Sequence, residues 1–217
     1  MSELLPENFF LGLEQSVSVM SALEIIAVLL ALAYLILAIK ENAWCWLCGF
    51  SSTLIYLIIF WKVSLYSETL LQLFYLYMSG YGWLQWTKYR GQIEQQESSL
   101  KPIIKWSREK HIRVISVTAI AALIVGLLMD TMTEASFPYV DAATTCFAIV
   151  ATYMVTQKVF ENWFYWIVID AVSVYLYLNK SLYFTAVLFA FYVMLCFVGL
   201  YAWRKNLPQQ ASSENTL

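Results

Sequence analysis

The sequence predicts an all-α integral membrane protein with seven transmembrane helices, organised as a 3+1+3 parallel internal repeat. Three observations carry this. Hydrophobic residues make up 61% of the chain against 13% charged, and the mean hydropathy is +0.64. A soluble domain of this size cannot bury so much apolar surface, whereas a bilayer requires it. Seven apolar runs are long enough to cross about 30 Å of hydrocarbon as helices. They fall near 20–39, 43–62, 67–87, 113–130, 137–157, 162–179 and 183–203. Finally, a passage occurs twice. Glu41-Asn42-Ala43-Trp44-Cys45-Trp46 is echoed by Glu161-Asn162-Trp163-Phe164-Tyr165-Trp166. Leu65-Tyr66 is echoed by Leu182-Tyr183, and Gly82 to Trp86 by Gly199 to Trp203.

In order along the chain, residues 1–19 read as an external N-terminal segment without the basic start of a cleavable signal, since Glu3, Glu7 and Glu14 come first. Residues 20–87 form the first three-helix repeat, 88–112 a basic cytoplasmic loop, and 113–130 a linker helix. Residues 137–204 form the second repeat, and 205–217 a polar cytoplasmic tail expected to be irregular. Basic residues orient the whole. With the N-terminus outside, Lys40, Lys88, Arg90, Lys101, Lys105, Arg108, Lys110, Arg113, Lys158, Arg204 and Lys205 face inward and only Lys62 and Lys180 outward, eleven against two.

Polar stripes on the third and sixth spans point to function. Glu68, Gln72, Tyr75, Ser79, Gly82 and Trp86 step by four, three, four, three and four, which places them on one helical face. Trp163, Trp166, Asp170, Ser173 and Tyr177 step by three, four, three and four, again one face. Such stripes face lipid only at a cost, so each is expected to line the interior. Gly82, Gly199, Trp86 and Trp203 read as packing or anchoring residues. Asp170 is different. A carboxylate inside a span costs about 3 kcal/mol or more on insertion scales and is a functional candidate by default. It lies eight residues into its span, about 12 Å at helical rise. Gln72 and Tyr75 lie at a similar depth from the other side, so the two stripes are expected to meet near the midplane. A parallel duplication in a membrane protein, with a site between the halves, is a transporter architecture. Glu24 and Asp141, near the outer ends of spans one and five, read as paired with a neighbouring hydroxyl such as Thr144 or as lining an acidic vestibule.

Other chemistries are weak. Cys45-Trp46-Leu47-Cys48 stands at a span end without a second pair, and His111 is the sole histidine, so no metal site or redox role is expected. No phosphate loop, hydrolase constellation or carboxylate–histidine relay is evident. The expectation is no catalytic residue, no cofactor and no nucleic-acid partner.

The motifs Glu161-Asn162-Trp163 with Trp166, Leu65-Tyr66 through Leu71-Gln72 and Phe74-Tyr75, and Tyr81-Gly82-Trp83 with Trp86 resemble the PnuC family of bacterial vitamin transporters over about residues 20–204. The resemblance implies a SWEET-like architecture, an inner-membrane location and a homotrimer. It also implies facilitated diffusion of a dephosphorylated vitamin that a cytoplasmic kinase then traps. By the same resemblance Gln72, Tyr75, Trp163 and Trp166 bind substrate, joined on the residues' own chemistry by Glu68, Asp170 and Ser173. Nicotinamide riboside carriers of the family tend to have Asn where this chain has Asp170. Ionised Asp is acceptor-only and suits a cation or an exocyclic amine, so thiamine is the first expectation. Nicotinamide riboside is the alternative, and a membrane-embedded vitamin sensor ranks third.

Overall fold

The structure, a computed structural model, describes residues 22–62, 66–91, 101–132, 137–179 and 182–214, without the side chains of 66–68, 89–91 and 208–214. The expected external segment 1–19, Glu134, Lys180, loop residues 92–100 and the side chain of Glu68 lie outside the described residues.

Among the described residues, seven helices form where the apolar runs stand: α1 (Ala22–Ile39), α2 (Cys45–Lys62), α3 (Tyr66–Gly91), α4 (Arg108–Met132), α5 (Pro138–Thr156), α6 (Asn162–Asn179) and α7 (Tyr183–Glu214). Five of them, α1, α2, α4, α5 and α7, are long and apolar enough to cross a membrane on length and composition. The other two, α3 and α6, are the helices with the polar stripes, which lower their mean hydropathy. Two boundaries differ from expectation. Helix α4 begins at Arg108 rather than 113 because Ser107 Oγ accepts the Lys110 N–H at 3.3 Å, an N-cap. Helix α7 runs on to Glu214 through the tail expected to be irregular. Extending a helix that is already nucleated fixes one residue per added bond, so weak formers can follow.

The repeat is present, but its register is not the one the Glu-Asn pairs suggested. The ends of α1 and α5, the starts and ends of α2 and α6, and the starts of α3 and α7 all differ by 117 positions, whereas Glu41-Asn42 and Glu161-Asn162 differ by 120. Trp46 therefore corresponds to Trp163, Glu24 to Asp141 and Glu41 to Lys158. Asp170 stands opposite Thr53.

The contacts divide the chain into two compact units. The first gathers Ser21–Lys105, Thr152–Phe160 and Val198–Leu217, the second Trp106–Ala151 and Glu161–Phe197. In the first unit α2 packs on both α1 and α3. Small residues permit the approach: a Cβ on Gly82 would stand 2.4 Å from the Trp46 ring, and one on Gly49 3.0 Å from Tyr34. Trp46 meets Tyr34 and Trp86 edge-on, at 5.7 and 5.4 Å between centroids. Ser52 Oγ donates to the Ala27 carbonyl at 2.8 Å, fastening α2 to α1. In the second unit, Thr118, Ala122 and Gly126 form the buried face of α4 at four-residue spacing. A Cβ on Gly126 would strike the Tyr139 ring at 2.6 Å, the small-residue packing common between membrane helices. Ala148, Ala151 and Ile169 form a core cluster, against which Phe147, Tyr165 and Trp166 pack.

Candidate functional site

Helix α6 is amphipathic by chemistry. Phe164, Val168, Tyr175 and Leu178 are exposed on one side, while Trp163, Asp170 and Ser173 are buried. The expected face thus comes together within the second unit. Trp166 and Tyr177 lie half-buried on it; Trp166 leans on the Ala148–Ile169 cluster, and the Tyr177 ring meets Phe189 at 5.1 Å. Asp170 is only 4% exposed. Its Oδ2 accepts a hydrogen bond from the Cys196 thiol of α7 at 3.6 Å, a partner that sequence reading missed.

Helix α3 behaves in the same way within the first unit. Gln72 and Tyr75 are half-buried, and Ser79, Gly82 and Trp86 buried, while Leu70, Leu73, Tyr77 and Leu84 are exposed. Thr69, buried at the start of this face, was not singled out from sequence. Gly82 and Trp86 are packing residues, as expected. Trp86 and Trp203 are not belt anchors, however. Both are buried and donate their indole N–H to carbonyls at helix ends, Trp86 to Thr156 at 3.1 Å and Trp203 to Ala38 at 3.2 Å. The swap is reciprocal: a third-helix Trp of each repeat caps the first helix of the other.

Those capped ends carry a second buried carboxylate. Glu41 and Lys158 each close a helix with a positive φ, 55° and 54°. The amides of Glu41 and Asn42 return to Ala38 and Leu37 at 3.0 and 2.9 Å, and those of Lys158 and Val159 to Val155 and Met154 at 2.9 Å each. Glycine usually fills this position, and another residue costs about 1 kcal/mol or more there. Here the side chains compensate. Lys158 Nζ donates to Glu41 Oε2 at 2.9 Å and lies 4.7 Å over the Trp86 ring, and Asn206 donates to Glu41 Oε1 at 2.7 Å. Burial pushes the Lys158 ammonium below its ordinary range, and Glu41 pulls it partly back. Lys158, counted above among topogenic charges, is therefore an internal ion-pair member. Residues 101–104 run beside this cluster. Ile104 exchanges backbone hydrogen bonds with Lys158 and Phe160 at 3.0 and 2.8 Å. Lys101 Nζ donates to Thr156 O and Gln157 Oε1 at 3.1 Å each. Burial, with Lys158 second, pushes Lys101 down to about 8.

His111 stands close to a carboxylate in the second unit without a hydrogen bond to it: its Nδ1 lies 2.9 Å from Tyr165 OH and its Nε2 3.8 Å from Glu161 Oε2, which accepts the Trp106 N–H at 3.2 Å. Fifty residues separate His111 from Glu161, so only packing of the first turns of α4 and α6 reveals the contact. Thr144, offered as a partner for Asp141, turns its hydroxyl to the carbonyls of Val140 and Asp141 at 3.0 Å each.

Residues 21–205 match the family described as nicotinamide mononucleotide transporter. The chain belongs to this family, the PnuC transporters. The nicotinamide riboside transporter PnuC of Escherichia coli (strain K12) is 26% identical over 204 residues, spanning 83% of each protein. The riboflavin/roseoflavin transporter RibM of Streptomyces davaonensis is 26% identical over 176 residues, spanning 81% of each. The crystal structure of a vitamin B3 transporter PnuC superposes with a TM-score of 0.69 at 18% identity, covering 93% of this chain and 91% of that one. The seven-helix fold is thus PnuC-like. This PnuC homologue is a multi-pass membrane protein of a vitamin-transporter family rather than an enzyme.

Proposed function

We infer that this PnuC homologue carries nicotinamide riboside across the membrane by facilitated diffusion, with Asp170 as the principal polar contact. The observation that supports it is the buried carboxylate on α6, whose hydrogen-bond partner among the described residues is a thiol. A carboxylate with acceptor capacity to spare suits a ligand that brings cationic charge and N–H or O–H donors. Nicotinamide riboside brings a pyridinium, a carboxamide and ribose hydroxyls. The same carboxylate repels a phosphate, which favours the unphosphorylated vitamin over a mononucleotide. The Escherichia coli relative is a nicotinamide riboside transporter, and none of the relatives named above is a thiamine carrier, so the riboside now ranks ahead of thiamine. Thiamine is the second reading because an acceptor-only group also fits a thiazolium and an aminopyrimidine amine. Trp163, Trp166 and Ser173 on α6, and Glu68, Gln72 and Tyr75 on α3, are the further proposed substrate contacts.

The proposal includes an external N-terminus, a cytoplasmic C-terminus, a homotrimer and trapping by a cytoplasmic kinase. The test is uptake into proteoliposomes of radiolabelled nicotinamide riboside and thiamine side by side. Riboside flux should equilibrate and exceed thiamine flux, and accumulation should require a riboside kinase with ATP inside. Greater thiamine flux would reverse the ranking, and accumulation driven by a proton gradient alone would overturn facilitated diffusion. The His111–Tyr165–Glu161 contact makes the proton arm a necessary control. In intact cells a Glu109→Cys variant should resist impermeant thiol reagents added outside, and its labelling would overturn the orientation.

A further inference from the structure

The 117-position register sets Cys196 opposite Ser79 and Asp170 opposite Thr53. The two members of the first pair behave differently. Ser79 Oγ donates to the Tyr75 carbonyl at 2.8 Å, one turn back on its own helix. A buried hydroxyl in a helix satisfies itself in this way and asks nothing of a neighbour. Cys196 instead reaches across to another helix, its thiol donating to Asp170 Oδ2 at 3.6 Å. Thiol and carboxylate are 1% and 4% exposed. An ionised carboxylate has about four acceptor positions, and a thiol is a weak donor. A buried carboxyl group held by so weak a partner is poorly compensated, and packing alone would be served by the self-satisfied arrangement of the first repeat.

We propose that Cys196 is the positioning residue of the substrate carboxylate: its thiol holds Oδ2 of Asp170 and leaves Oδ1 for a donor group of the vitamin. The proposal rests on the reading of Asp170 as a substrate contact. A weak donor has a purpose here. It orients the carboxylate without consuming the acceptor strength that the ligand uses, and it leaves room for the ligand's cationic charge. Specificity for a donor-bearing cation then depends on two residues from different helices rather than on Asp170 alone.

Calorimetry on the purified full-length protein, with nicotinamide riboside and thiamine as probes, measures the coupling. Cys196→Ala should weaken riboside binding about three- to tenfold, the size of one net hydrogen bond. In an Asp170→Asn background the same change should alter binding less than about twofold, since the group it positions is no longer a carboxylate. An equal loss in both backgrounds means packing only and overturns the proposal. Infrared spectroscopy reads the pair without any ligand. The S–H stretch assigned to Cys196, by its loss in Cys196→Ala, should move to higher frequency in Asp170→Asn; a band that stays put overturns the contact. Should the wild type bind neither vitamin, the transport reading falls, while the S–H band still decides whether the thiol holds Asp170.

Discussion

Glu41 and Asp170 are both carboxylates in an apolar protein, 3% and 4% exposed, yet their surroundings are opposite. Glu41, in the first unit, has an ammonium on one oxygen and an amide on the other, and the ammonium itself lies over an indole ring. Asp170, in the second unit, has a thiol. The two groups show two uses of a buried carboxyl group. A saturated carboxylate is a fastener whose removal costs stability. An unsaturated one is held at some expense to the fold and is ready for a ligand, the usual opposition between stability and activity at functional sites.

The largest expected effect breaks the saturated side. Lys158→Met leaves Glu41 buried without its counter-ion and should cost about 3–5 kcal/mol. The double variant Glu41→Met/Lys158→Met should recover most of that loss, because replacing both partners by apolar groups is often near neutral. Thermal unfolding in detergent reads both, and a double variant no better than the single would show that the helix ends need the pair itself.

Asp170→Asn addresses the other side. Loss of a charge-assisted hydrogen bond costs about 1.5–3 kcal/mol, so thiamine binding should fall roughly tenfold to over a hundredfold, and riboside binding less because riboside carriers tend to have Asn at this position, while the unfolding temperature holds or rises. A variant that melts early and binds normally would place Asp170 with Glu41 among the fasteners.

Trp166 gives a smaller effect. A cation over an indole gains about 0.5–2 kcal/mol, so Trp166→Ala should weaken riboside binding up to roughly tenfold or more, and Trp166→Phe less. Equal binding in both would reduce Trp166 to its packing on the Ala148–Ile169 cluster.

The smallest effect is a pH slope at the cluster around Glu41. Lys101 is pushed down to about 8 from an ordinary 10.5. Between those values the unfolded chain holds more protons than the folded one, so this residue's contribution to stability rises with pH across the interval. Unfolding temperatures of wild type and Lys101→Gln, compared at both ends of the interval, should diverge in favour of wild type at the alkaline end. Parallel curves would mean that the ammonium is fully solvated.

Much of this molecule is local and can be read in one dimension. Seven helices, the duplication, and the buried faces carrying Gln72, Tyr75, Trp163, Asp170 and Ser173 follow from run length and from steps of three and four. Helical geometry converts those steps into a face whatever the partner is. Partners are another matter. Glu41 meets Lys158 across 117 residues, Asp170 meets Cys196 across 26, and His111 meets Glu161 across 50. No periodicity encodes such distances. The repeated Glu-Asn pair suggested a register three positions off, whereas the Leu-Tyr and Gly-to-Trp echoes, 117 apart, agree with the helix ends. That Asp170 is buried was legible in its helix. That, among the described residues, a thiol answers it was decided by the packing of α7 on α6, because a side chain's hydrogen-bond partner depends on which helices come within 4 Å, and only the folded chain determines that.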